Sequence, residues 1–88
     1  MTALFTEFSL KDITLRNRIA VPPMCQYSAD DGHTNDWHLA HYTQLARGGA
    51  GLVIVEATAV SPEGRITPGC TGIWNDEQAE GMEKIASA

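Results

Sequence analysis

Gly51-Leu52-Val53-Ile54-Val55-Glu56 is the stretch that decides the fold. Its apolar part is unbroken and rich in β-branched residues, and a carboxylate closes it. Such a run predicts a strand over 51–56 buried on both faces, as in a parallel sheet. Ile19-Ala20-Val21 has the same character. Proline cannot donate to a ladder, so Pro22-Pro23 should end that strand. Between the two, Asn35 or Asp36 can cap a helix, because a short oxygen-bearing side chain accepts from the free amides of the first turn. The helix should run to Arg47, which suits the negative end of the dipole, and stop at Gly48-Gly49. At about 100° per residue, Trp37, His38, Leu39, His41, Tyr42, Leu45 and Ala46 share one broad arc, expected to be the buried side. Two such strands joined by a helix form a right-handed βαβ unit.

Outward from this unit the signals weaken. Residues 4–16 read as a hairpin, with Phe8 and Leu10 on one arm, Ile13 and Leu15 on the other, and Lys11-Asp12 as a turn without glycine. Ala29-Asp30-Asp31-Gly32 is loop chemistry, and Ser61-Pro62-Glu63-Gly64 and Pro68-Gly69 are turns. Asn75 opens a second helix, with Gln78 placed for a capping box, running through Met82 and Ile85 to Ala88. There is no internal repeat and no domain boundary. A parallel sheet needs more strands and helices than these, so the chain reads as a piece of a larger α/β protein. The remainder would come from a longer chain, a partner segment or an unusual assembly.

Composition narrows the function. A chain of 88 residues buries only about 60–65% of its unfolded surface, which makes a free-standing fold marginal. The net charge is −5 with no basic stripe, which argues against nucleic acid, where phosphate neutralisation supplies most of the affinity. No apolar run approaches the roughly 20 residues that span a bilayer, and the first residues lack the pattern of a signal peptide. The expectation is a cytoplasmic protein, with no membrane partner, in which Cys25 and Cys70 stay reduced.

Several residues carry candidate chemistry. Pro22 to Tyr27 leave the C-terminal end of a strand, where α/β proteins bind ligands, so Pro22, Pro23, Met24, Cys25 and Tyr27 read either as a cofactor wall or as a rigid turn. Glu56-Ala57-Thr58-Ala59 holds the equivalent place after the next strand, where small residues permit close approach by something flat or simply tight packing. His38 and His41 could share a metal, although a core role suits their apolar neighbours better. Cys25 could be a nucleophile if a histidine touches it. Arg65 could hold an anion or face solvent.

Taken together, the blocks Leu10-Lys11-Asp12, Leu15-Arg16-Asn17-Arg18-Ile19, Pro23-Met24-Cys25-Gln26-Tyr27, Ala50 to Val60, Pro62-Glu63-Gly64-Arg65-Ile66-Thr67 and Gly72-Ile73-Trp74, with Phe5 before them, resemble the start of Old Yellow Enzymes. They are most similar to the bacterial subgroup of xenobiotic reductases and thermophilic-like ene-reductases. The resemblance spans essentially the whole chain in family order. It implies the N-terminal part of a TIM (β/α)8 barrel, with a hairpin closing the bottom, two parallel barrel strands at 18–22 and 51–56, and two helices. Residues 1–88 would then be the N-terminal segment of one incomplete FMN-binding domain. By resemblance, Pro22, Pro23, Met24, Cys25 and Ala57 line FMN, Cys25 tunes the flavin's potential, and Tyr27 contacts substrate. The family implies NADPH or NADH as reductant, α,β-unsaturated carbonyl compounds as substrates and a homo-oligomer when complete. Its carbonyl-binding pair, tyrosine acid and phosphate loops lie beyond these residues. By the same resemblance, the isolated segment is expected to be inactive.

Overall fold

The computed structural model describes residues 3–88; Met1 and Thr2, where the reading of the N-terminus began, lie outside them. Strands β1 (Phe8–Leu10) and β2 (Ile13–Leu15) pair antiparallel, with Phe8 opposite Leu15 and Leu10 opposite Ile13. Strand β3 (Ala20–Val21) and β4 (Leu52–Val53) pair parallel, with helix α1 (Asp36–Arg47) between them in sequence. Strands β5 (Thr58–Ala59) and β6 (Thr71–Gly72) form another parallel pair, and α2 (Asp76–Ser87) follows.

Local chemistry sets the ends of α1. Asn35 Oδ1 accepts from the Trp37 amide at 2.9 Å, and His38 Nδ1 accepts from the Asn35 amide at 3.1 Å. His38 thus completes a capping box, with an imidazole where glutamate is usual. At the other end Gly49 takes φ +105, and Arg16 Nη2 donates to the carbonyls of Ala46 (3.3 Å) and Ala50 (3.1 Å). Asn17 fixes the start of β3 by donating to the Gly49 carbonyl at 2.7 Å and accepting from the Ile19 amide at 3.0 Å.

Several expectations need correction. The predicted hairpin over 4–16 is shorter, because Ala3–Phe5 form a 3-10 turn instead of strand. The strand expected over 51–56 is regular only at Leu52–Val53, with single flanking bonds from the Gly51 and Ile54 amides, since β3 is short and ends at its prolines. Thr58–Ala59, read as loop, is a strand. Gln78 does not close the predicted box: Asn75 Oδ1 accepts the Gln78 amide at 2.8 Å, but Gln78 Oε1 accepts from Trp74 N–H instead of the cap's own amide. The Gln78 amide group turns instead to the Asp31 carbonyl at 3.0 Å, tying α2 to the early loop.

The largest departure is burial. Among the described residues the buried hydrophobic ones are Tyr42 and Cys70, accompanied by buried His38, Glu56, Thr71 and Gln78. By contrast Leu52, Ile54 and Val55 are 40–43% exposed, so the faces expected to be covered are open in this chain. Phe8, Leu10, Ile13, Leu15, Ile19 and Leu52 line an apolar trough of about 430 Å³ between the hairpin and the parallel pair. The radius of gyration, 14.6 Å, exceeds the roughly 12 Å of a self-contained domain of this length.

Candidate functional site

The segment after β3 behaves as the prolines require. Ile54 N–H donates to the Val21 carbonyl at 3.1 Å, so the chain stays paired up to the point where Pro22 begins. Pro22, Pro23 and Met24 are then exposed, Cys25 is half-buried, and Tyr27 is 60% exposed. Polar contacts hold the backbone of this loop. Gln26 Nε2 donates to the Met24 carbonyl at 2.9 Å, and Gln26 Oε1 accepts from Trp37 Nε1 at 3.2 Å. Ser28 Oγ donates to the Gln26 carbonyl at 2.9 Å, and Asn35 Nδ2 donates to the Ser28 carbonyl at 2.7 Å. Trp37, expected on the buried arc, is therefore 56% exposed, its ring stacked beside His41 while its indole N–H reaches the loop.

Tyr27 has φ +54, a left-handed backbone that costs a non-glycine residue about 1–2 kcal/mol. Its main chain lies against Gly69, where an added Cβ would sit 2.7 Å from the Tyr27 carbonyl oxygen. The Ala29 amide donates to the Gly69 carbonyl at 3.0 Å. Asp30 and His33 then exchange both amide bonds around Asp31-Gly32, each at positive φ as a two-residue hairpin turn demands. Backbone strain of this kind gathers where a side chain must be presented in one direction.

The second segment leaves the same end of the parallel pair. Glu56 is 3% exposed and Ala57 is exposed. Glu56 Oε2 accepts from Tyr42 Oη at 2.6 Å, and Tyr42 Oη accepts from the Glu56 amide at 3.0 Å. Glu56 Oε1 faces the Gln26 amide at 3.5 Å, the outer limit of a hydrogen bond, and His38 Nε2 at 4.0 Å. With Nδ1 accepting at the helix cap, the neutral His38 ring carries its proton on Nε2, which has no hydrogen-bond partner. Burial lowers the His38 pKa below the ordinary 6.5, against the pull of Glu56. Burial and the Glu56 carboxylate push the Tyr42 phenol well above its ordinary 10.0. Sequence reading placed His38 and Tyr42 together on one helix face but missed their partner. The available signal was a lone carboxylate closing an apolar strand.

Other candidate chemistry is not assembled. Among the described residues no group of His, Cys, Asp and Glu could hold a metal ion, and His38 and His41 serve the cap and an aromatic stack. No histidine hydrogen-bonds to Cys25 among them. Arg65 lies over the Trp74 ring at 5.3 Å and donates to the Pro62 carbonyl at 3.0 Å. Cys70, not singled out from sequence, is buried, and hydrogen bonds from Thr67 lower its thiol pKa.

What the two strand ends offer together is a rim of prolines, a methionine and an alanine, with a half-buried thiol and an exposed phenol beside it. Apolar and small groups of this kind are compatible with a flat aromatic ring.

The family described as "NADH:flavin oxidoreductase / NADH oxidase family" matches residues 3–88. The chain is 53% identical over 87 residues to an NADPH dehydrogenase of Listeria monocytogenes, covering 97% of this chain and 26% of that protein. It is 52% identical over 84 residues to the NADPH dehydrogenase of Bacillus subtilis, covering 93% and 25%. Among solved structures it superposes on morphinone reductase with TM-score 0.87 at 33% identity, covering 97% of this chain and 22% of that one. An Old Yellow Enzyme from Pichia sp. AKU4542 gives TM-score 0.88 at 32% identity, covering 98% and 22%. The chain thus spans about a quarter of the length of the curated relatives it matches, and its α/β architecture is that of part of an Old Yellow Enzyme TIM barrel.

Proposed function

This chain belongs to the NADH:flavin oxidoreductase / NADH oxidase family, and from that premise we propose that it is one segment of an FMN-dependent NAD(P)H oxidoreductase reducing activated C=C bonds of enones. The observation that carries the reading is the rim at the ends of β3 and β4, where ligands bind in barrels of this kind. FMN, when bound, would supply the hydride chemistry; the protein's part is binding, orientation and electrostatics. In this reading Pro22, Pro23, Met24, Cys25 and Ala57 would hold FMN, and the Cys25 thiol would tune its potential. Tyr27, presented by its left-handed backbone, contacts substrate.

The remainder of the barrel is the partner of this segment. Open apolar faces on β4 and the hairpin support that, since they leave the core uncovered. The groups that polarise the substrate carbonyl and donate the proton would come from that remainder, and so would the phosphate site. We place the assembled protein in the cytoplasm as a homo-oligomer; the free thiols Cys25 and Cys70 suit a reducing compartment.

The test is direct. The complete protein carrying this segment should purify with a flavin spectrum and oxidise NADPH in response to 2-cyclohexenone. The isolated 88-residue chain should do neither. A complete protein that binds FMN but leaves every activated alkene untouched would refute the enone assignment. Flavin binding by the isolated chain would refute the claim that the segment depends on the rest.

A further inference from the structure

Glu56 is a buried carboxylate that the proposed hydride chemistry does not use, yet it joins three elements around the cofactor rim. It stands between β4 and the rim residue Ala57, with its side chain turned inward at 3% exposure. One oxygen takes the Tyr42 hydroxyl of α1 at 2.6 Å. The other faces the amide of Gln26, between Cys25 and Tyr27, at 3.5 Å. His38 Nε2, fully buried and without a partner, faces that same oxygen at 4.0 Å. Among the described residues no lysine or arginine pairs with the carboxylate.

We infer that Glu56 is the positioning residue of the cofactor rim: its carboxylate, anchored on α1 by Tyr42, sets where Cys25 and Tyr27 stand. The inference rests on the flavin reading above. Three features support it. The carboxylate bonds the Tyr42 hydroxyl of α1 at 2.6 Å and, with its other oxygen, reaches the Gln26 amide at 3.5 Å. Its own amide is held by the same Tyr42 hydroxyl, so Glu56 and the start of Ala57 are fixed with it. Oxygen Oε1 has two donors within reach and full contact with neither, so a shift of about 1 Å would bring His38 Nε2 into an ordinary hydrogen bond. The rim therefore rests on a carboxylate whose last contacts are still open.

Glu56→Gln is the discriminating variant, since it keeps the volume and replaces one acceptor by a donor. In the complete FMN-loaded protein it should retain flavin, shift the flavin's visible spectrum and midpoint potential, and raise KM for 2-cyclohexenone roughly tenfold with a smaller change in kcat. In the apoprotein the alkylation rate of Cys25 should change several-fold. Tyr42→Phe, which keeps the ring, should move the same quantities in the same direction. Gln44→Ala, on the far side of α1, should move none of them. Should Glu56→Gln lower thermal stability while spectrum, potential, KM and Cys25 reactivity all stay put, the residue is merely structural and the inference fails. If Glu56→Gln does not fold, Tyr42→Phe decides by the same criteria. A parent protein that holds no FMN defeats the functional reading itself, an outcome visible before any variant is made.

Discussion

Tyr42→Phe isolates one hydroxyl in the buried part of this chain. Tyr42 is 7% exposed, and its ring would stay where it packs. The hydroxyl donates to Glu56 Oε2 at 2.6 Å and accepts from the Glu56 amide at 3.0 Å. Removing it leaves a buried carboxylate oxygen and a buried amide without partners. A hydrogen bond to a charged group contributes about 1.5–3 kcal/mol, and an orphaned buried donor costs about 1–3 kcal/mol. The two losses share one residue and do not add fully. The expected loss is about 2–4 kcal/mol, a large part of the roughly 5–15 kcal/mol that holds a native protein together. Urea unfolding of the complete protein should show a lower midpoint with an unchanged slope. Alkali supplies an independent arm. The Tyr42 pKa is raised in the folded state, so its contribution is full below about 10 and is lost as pH rises past that value. Wild type should weaken there while the phenylalanine variant lacks this term, so the gap between them narrows. A loss under about 0.5 kcal/mol, or a gap constant into strong alkali, would refute the reasoning.

Three further outcomes are expected. Asn35→Ala removes the α1 cap and the bond to the Ser28 carbonyl; thermal unfolding should show a loss of about 0.5–2 kcal/mol. Gly69→Ala puts a methyl 2.7 Å from the Tyr27 carbonyl oxygen, costing about 1–3 kcal/mol in urea titration and, if Tyr27 contacts substrate, raising KM more than it lowers kcat. His38 has a lowered pKa in the folded state, so its contribution is full above its unfolded value of 6.5 and is lost as pH falls toward the folded value. Stability measured between neutral pH and pH 5 should therefore decline on the acid side, and less steeply in His38→Gln.

What could be read from the sequence was what neighbouring residues decide. The stop of β3 at Pro22 and both ends of α1 follow from proline, asparagine and glycine acting within a turn of where they stand. The parallel pairing of β3 with β4 was legible because two apolar runs flank one helix. β5 and β6 were not, because each is two residues long and too short for a period to show. Gln78 had the spacing of a capping residue, but the Trp74 amide and the Asp31 carbonyl, the latter distant in sequence, claimed its side chain. Trp37 fell on the buried arc by angle, yet it sits in the first turn, where its ring can leave the core and meet Gln26. The rim residues were found by their place after strands. Glu56 was legible as the end of a strand but its partners were not, because they are a tyrosine and a histidine of α1 that only the packing of that helix against β4 brings to it.

The open faces of β3 and β4 also bear on how such a protein is made. A short parallel pair with bare edges and exposed Leu52, Ile54 and Val55 is a template that any unpaired strand can join, from the same polypeptide or from a stranger. A covering segment tethered to this one meets it at an effective concentration of about millimolar over a short flexible link. A segment arriving as a separate molecule competes at whatever concentration the cell supplies. Where the covering segment is part of the same polypeptide, the covalent link acts as a kinetic guard, favouring the right strand as the first to dock.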